Sequence, residues 1–393
     1  MITGLGAHCR PGIVGWLGQH LCMRPALKPG LLPVWRNRDT IQIGIDPRRA
    51  IALTGMRRAA GLLRLLDGSR DRMQVLDAAR DLGMDPEMTD RVLSLLAAGG
   101  ALDDIPASTY DTLSAALRAR LAPELATASL AHGDADGGAR TLARRQAACV
   151  RVHGASRAGL WIAALLTSAG VGLVISAGPA GAQPGQANRP VTPEPPSAPE
   201  SPPGPEPALA PGPPPAPGPP PAPELPAGLP GPGAPNPSPL AGHGAGRSTA
   251  RPRRPSLVIL ADSHGRDLPA TLSRDQVPHL AASASEAIGV VGPLVLPGRS
   301  ACLRCLDLTR AERDPAWPLI LAQLAGHAGA DPAACDAVLA TMVAAQATAQ
   351  ALAFVDRGPA AVAVISGTLE LVLPDWQWRR RTWQPHHECA CRS

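Results

Sequence analysis

The chain has 393 residues, of which 45% are apolar and 18% charged, with a formal net charge of +5. That length leaves room for two or three domains, and positive charge spread so thinly, with no long basic run, sets nucleic acid aside as an expected partner. The eight cysteines are not spaced as a disulfide framework, and Lys28 is the single lysine, so nearly all the positive charge is arginine.

Residues 1–22 lack the basic start and continuous apolar core of a signal peptide. Met23 then opens a run that reads like a beginning, so 1–22 is expected to be an extension, disordered or never translated. Residues 23–105 form a first unit. Ile41-Gln-Ile-Gly-Ile45 and Ala50-Ile-Ala-Leu53 alternate on either side of Asp46-Pro-Arg-Arg, a hairpin pattern. A helix is predicted over 56–66, with Leu62, Leu63 and Leu66 on one face. Ser69 is expected to cap a second helix closed by Gly83. Asp85-Pro86 opens a third, which stops at Gly99-Gly100. A hairpin with three helices is a winged-helix-like arrangement, which serves peptide binding, DNA binding or packing on a neighbour. Charges over 24–104 nearly balance, which weakens the DNA reading. Residues 106–148 read as an alanine-rich helical connector.

Residues 149–178 read as strand, glycine turn, helix and strand, the opening of a dinucleotide-type fold. Gly154, Arg157 and Gly159 are the candidate nucleotide contacts. Ser156 stands where a close-approach glycine is needed, and no acidic residue follows Ile175 to hold a ribose. The uncharged run 158–182 has a rival reading as a single membrane anchor. Gly170, Gly172, Gly178 and Pro179 oppose it, as does the split into a helical and a β-branched half.

Residues 179–255 contain more than half of the 46 prolines and offer little to bury, so a disordered, proline-rich insertion is expected. Order resumes over 256–393. Ser256–Leu260, Gly289–Leu296, Ala361–Ile365 and Thr368–Leu373 read as strands, and Ala334–Asp356 as a long buried helix. Two cysteine pairs complete this region, Cys302-Leu-Arg-Cys305 and Cys389-Ala-Cys391. Four thiolates match the tetrahedral set of a structural zinc and leave no open position for substrate. The alternatives are a redox pair with incidental cysteines, or substitution of a ligand by His386 or His387. Trp317, Trp376, Trp378 and Trp383 are read as core packing.

The hairpin, Leu65-Leu66-Asp67-Gly68-Ser69 and Leu95-Leu96-Ala97-Ala98-Gly99-Gly100-Ala101-Leu102 resemble the PqqD-like precursor-recognition domains of ribosomal peptide maturation systems. The resemblance implies a leader peptide added as a strand to the hairpin edge, with Ile41, Gln42, Ile43 and Ile45 as candidate contacts.

Residues 149–176 and 256–393 are similar to the ThiF/MoeB superfamily, the ubiquitin-activating-type adenylyltransferase fold. Gly154-Ala-Ser-Arg-Ala-Gly159, Gly292-Pro-Leu-Val-Leu-Pro-Gly298 and the two cysteine pairs carry that similarity. Nearest in pattern are divergent members associated with thiazole/oxazole-modified peptides. The resemblance implies an α/β protein: a Rossmann-like domain with a zinc clasp, preceded by the winged-helix-like domain and interrupted by the insertion. Active members adenylate a peptide or protein C-terminus with ATP–Mg. Of the groups they need, only Gly154, Gly159 and Arg157 carry over here, so ATP use is doubtful. The expected role is a catalytically silent, cytoplasmic protein that presents a ribosomal precursor to a separate cyclodehydratase, with no membrane partner. An active adenylyltransferase and a membrane-anchored regulator are the alternatives, and a homodimer is an open state of assembly.

Overall fold

A computed structural model describes residues 24–57, 60–104, 113–177, 254–261, 267–326 and 335–392. The extension 1–22, and all but the last two residues of the proline-rich block, lie outside them, as do the expectations placed there.

The first unit has strands β1 (Pro25–Leu27), β2 (Pro33–Trp35), β3 (Ile41–Ile43) and β4 (Ile51–Leu53). Helices α1 (Leu62–Leu65), α2 (Arg72–Asp81) and α3 (Pro86–Ala98) follow, then β5 (Leu102–Asp104). β2, β3 and β4 form an antiparallel sheet in that order, and β1 pairs with β5. Ile41, Ile43 and Leu53 pack on Leu62, Val75, Ala79, Val92, Leu93 and Leu96, which puts the alternating residues of the hairpin against the apolar helix faces.

Two local expectations are corrected. The helix predicted over 56–66 is the short turn α1, because the Met56 amide is tied back to the Asp39 carbonyl at 2.9 Å. The cap of α2 is Asp71 rather than Ser69. Its side chain and that of Gln74 bond reciprocally to each other's backbone, a capping box. Ser69 turns to Asp67 instead, at 2.5 Å. Asp85 caps α3 by accepting from the Met88 amide, with Pro86 in the first turn.

The connector is helical: α4 (Ala115–His132) and α5 (Ala139–Ala147). Lys28 is fully buried against α4. Its ammonium meets Asp103 at 2.7 Å, the Ser129 carbonyl at 3.0 Å and the Ser129 hydroxyl at 2.5 Å. At the other end of the connector, Arg145 bonds both carboxylate oxygens of buried Asp356.

The second half comprises β6 (Cys149–His153), α6 (Arg157–Ser168), β7 (Leu173–Ala177), β8 (Leu257–Ala261), α7 (Asp267–Arg274), β9 (His279–Ser285) and β10 (Ile288–Val295). Then come α8 (Leu303–Arg313), α9 (Trp317–Gly326), α10 (Ala337–Arg357), β11 (Gly367–Val372) and β12 (Gln377–Thr382). The strands make one seven-stranded mixed sheet in the order β12-β11-β10-β9-β8-β6-β7, parallel from β7 to β9 and antiparallel beyond. One face packs on α6 and α10 through Val150, Val152, Leu257, Ile259, Ile162 and Val343. On the other face Val258 and Leu260 meet Leu272 of α7. Burial on both faces explains the unbroken apolar run of β8.

Ala361–Ile365, read as a strand, is a turn with a single bridge to β10. Val362 and Val364 alternate because both are plugged into the core, while Gln350 accepts the Ala363 amide at 2.9 Å. The stretch 158–182 is not one span, since α6 ends at Ser168 and β7 begins at Leu173. Among the described residues, α10 alone is long and apolar enough to cross a bilayer, and its inner face belongs to the core between the sheet and α6.

Candidate functional site

The fold brings Cys302, Cys305, Cys389 and Cys391 together. Cys302 precedes α8 and Cys305 lies in its first turn, the geometry a C-x-x-C needs to aim two thiols at one point. Cys389 and Cys391 lie on the closing turn of the chain. Sulfur separations are 3.7 Å for Cys302–Cys305, 3.6 Å for Cys302–Cys389 and 3.4 Å for Cys305–Cys391. A tetrahedral zinc with bonds of about 2.3 Å places its sulfurs about 3.8 Å apart, so the cluster has the dimensions for that ion. Burial pushes the Cys302 thiol up to about 11. Burial and then the neighbouring thiols also raise Cys391. Burial opposes ionisation of Cys305 as well, but the His386 and Cys302 amides together with the Cys391 and Cys389 thiols outweigh it and bring that thiol below its ordinary value. A dication at the centre would offset that burial by stabilising the thiolates. His386 and His387 stand beside the four sulfurs, not among them.

The glycine turn between β6 and α6 has a packing explanation. Gly154 has φ +116°, and a Cβ there would fall 1.7 Å from the Ala261 carbonyl oxygen of β8. Ser156 caps α6, its hydroxyl accepting the Gly159 amide at 3.1 Å. One of the amides that a phosphate would use is therefore already engaged. Arg157 is exposed, and β7 reaches Ala177 without an acidic residue. Asp262, which follows β8, lies outside the described residues.

At the other candidate site the sheet order matters. β3 is the central strand, so Ile41, Gln42 and Ile43 do not form the free edge expected of them, and Ile45 lies beyond the strand, exposed. Among the described residues, the free edges of this sheet are β2 and β4. The Gly44 amide bonds to the Leu32 carbonyl and the Arg36 amide to the Thr40 carbonyl, so the even-numbered residues of β3 serve β2. Ile41 and Ile43 then serve Leu53 and Ile51. This leaves the amide and carbonyl of exposed Ala52 pointing away from the sheet. α3 runs along this edge: Ile51 reaches Gly99 at its C-terminal end, and Met88 near its start lies within 4 Å of where a Gly55 Cβ would be. Met88 and Leu95, on one face of α3, are 42% and 50% exposed. The sequence reading missed β2, whose residues Pro33, Val34 and Trp35 are all exposed and show no polar–apolar alternation, and with it the true edge.

A cavity of about 460 Å³ opens under α8 and α9, walled by Leu260, Val290, Leu303, Leu306 and Leu321, with Arg310, Glu370 and Arg381 also lining it. Arg310 stands over Trp317 at 4.9 Å and Trp383 at 5.4 Å. Trp383 is buried and Trp317 partly so, whereas Trp376 is 38% exposed.

No protein-family model and no curated protein matches the chain. Solved structures do match in fold. A heterocyclase in complex with substrate and cofactor is 13% identical, with 91% of this chain and 38% of that one covered and a TM-score of 0.53. The heterocyclase TruD is 14% identical, with 94% and 42% covered and a TM-score of 0.53. E. coli MccB with AMPCPP and MccA is 10% identical, with 94% and 100% covered and a TM-score of 0.55. The chain thus spans about two fifths of the heterocyclases it matches and the whole of MccB. At these identities the likeness is one of fold, a mixed α/β architecture shared with MccB and TruD.

Proposed function

We propose that the protein binds a ribosomal precursor peptide and presents it to a separate azoline-forming cyclodehydratase. Its ThiF-like half serves as a zinc-clasped scaffold and does not adenylate. The observation that carries this reading is the free β4 edge at Ala52, with the exposed Met88–Leu95 stripe of α3 running beside it. An extended peptide gains main-chain hydrogen bonds from such an edge and selectivity from the apolar stripe. The capped, serine-bearing turn before α6 supports the absence of adenylation. Likeness in fold to heterocyclases more than twice as long supports a partner that supplies the remaining module. The thiols of Cys149, Cys302, Cys305, Cys389 and Cys391 form no disulfide, which suits the reducing cytoplasm.

The test is fluorescence polarisation with leader peptides encoded beside this gene. Ala52→Pro removes an outward amide without breaking the β3 ladder, and Leu95→Glu places a charge on the stripe. Each is expected to weaken binding at least tenfold while the fold stays intact by circular dichroism. Gln42→Pro is not a suitable probe, because its amide faces β2. Leader binding that survives both changes would remove the basis of the proposal.

A further inference from the structure

Beside the four cysteines stands a second group with ligand-type atoms, Glu312, His386 and His387. Its hydrogen bonds argue against a second metal. The Nδ1 of His386 accepts the Glu388 amide at 3.2 Å, which leaves the ring proton on Nε2, and Nε2 donates to the Glu312 carboxylate at 2.8 Å. A metal on Nε2 would have to displace that proton while Nδ1 still accepted the amide, or else break the amide contact. His387 stacks on the ring at 4.5 Å and is otherwise exposed, its imidazole nearest to Glu388.

His386 is instead joined to both halves of the cysteine cluster. Its backbone amide is one of the groups that lower the Cys305 thiol. Its carbonyl accepts the Cys389 amide at 3.0 Å. The residue is 7% exposed, so its place is set by these bonds and by packing. Glu312, which holds its ring, lies on α8 two turns beyond Cys305, on the same face of that helix. One helix therefore carries a thiol ligand and, seven positions on, the carboxylate that grips the loop bearing the other two.

We propose that Glu312 is a positioning residue for the metal centre: through His386 it holds the closing turn so that Cys389 and Cys391 meet Cys302 and Cys305. This rests on the zinc reading above and adds a role for a residue that no ligand count includes. Groups that orient metal ligands from outside the coordination sphere typically change affinity about 10–100-fold when removed. Glu312→Ala is expected to weaken zinc binding by that factor. Glu312→Gln, whose amide oxygen still accepts from Nε2, should recover most of it.

The measurement is zinc affinity of the full chain by competition with a chromophoric chelator, with the ligand-field spectrum of the cobalt-substituted protein recorded in parallel. Glu312 is half-exposed, so its variants should fold. Support would be one zinc per chain in the wild type, weakened affinity and an altered cobalt spectrum in Glu312→Ala, and rescue in Glu312→Gln. Unchanged affinity and spectrum in Glu312→Ala would overturn the positioning role while leaving the zinc centre standing. A wild type that binds two zinc ions, with Glu312→Ala losing only the second, would show the trio to be a metal site instead. A wild type that binds none would sink the zinc reading itself, and this inference with it.

Discussion

Lys28 gives the sharpest test of how the first unit is joined to the connector. Its ammonium has three donors, and Asp103, the Ser129 carbonyl and the Ser129 hydroxyl take all of them. Ser129 in turn donates to Asp103 at 2.8 Å. Lys28 is 2% exposed and Asp103 0%. In Lys28→Met the volume is nearly kept, but a carboxylate remains buried with one hydroxyl for company. Breaking a buried pair from one side costs about 3–5 kcal/mol, a large share of the ~5–15 kcal/mol that a domain has. Lys28→Met with Asp103→Leu removes both charges and should restore most of the loss, because Ser129 can turn to a carbonyl of its own helix. Urea unfolding of the two single variants and the double variant measures the coupling. A second assay follows from composition. Lys28 is the single lysine, so an amine-reactive reagent modifies its side chain only when α4 lifts from β1 and β5, while the chain's terminal amine serves as reference. Opening at about 3 kcal/mol would slow Lys28 more than 100-fold relative to that reference. A Lys28→Met variant within about 0.5 kcal/mol of wild type, or equal labelling of the two amines, would refute the reasoning.

Two further outcomes are expected. Chelating the metal should fray 384–392 and the first turn of α8 while α10 keeps its protection, since none of the four cysteines belongs to the core on the α10 face. Hydrogen exchange read by mass spectrometry checks this, and equal loss of protection in α10 would contradict it. ATP–Mg should show no calorimetric binding below millimolar concentration and no pyrophosphate exchange, because Ser156 occupies the close-approach position and takes the Gly159 amide; micromolar binding would promote the adenylyltransferase reading.

Much of the fold was legible in local pattern. The alternation over Ile41–Leu53, the Asp85-Pro86 opening of α3, the strand–turn–helix–strand of 149–178 and the buried helix 337–357 all depend on neighbours within a few residues, and chain order carries that information. The spacing within each cysteine pair was likewise readable, because one helical turn or one tight turn sets it. What chain order could not convey was which distant segments meet. β12 was hidden because an edge strand can face solvent with Arg379, Arg380 and Arg381, which leave no apolar alternation to read. The apolar alternation of Ala361–Ile365 is that of a core plug as much as of a strand, and only α10 packing against it distinguishes the two. β3 became a central strand once the short strand Pro33–Trp35 paired with it, which moved the free edge from Gln42 to Ala52. Lys28 found Ser129, and Glu312 found His386, across separations that no local spacing encodes. Period and cap are set by the backbone's short-range sterics and hydrogen bonds, whereas edge, burial and the meeting of four thiols follow from long-range pairing, which only the folded chain specifies.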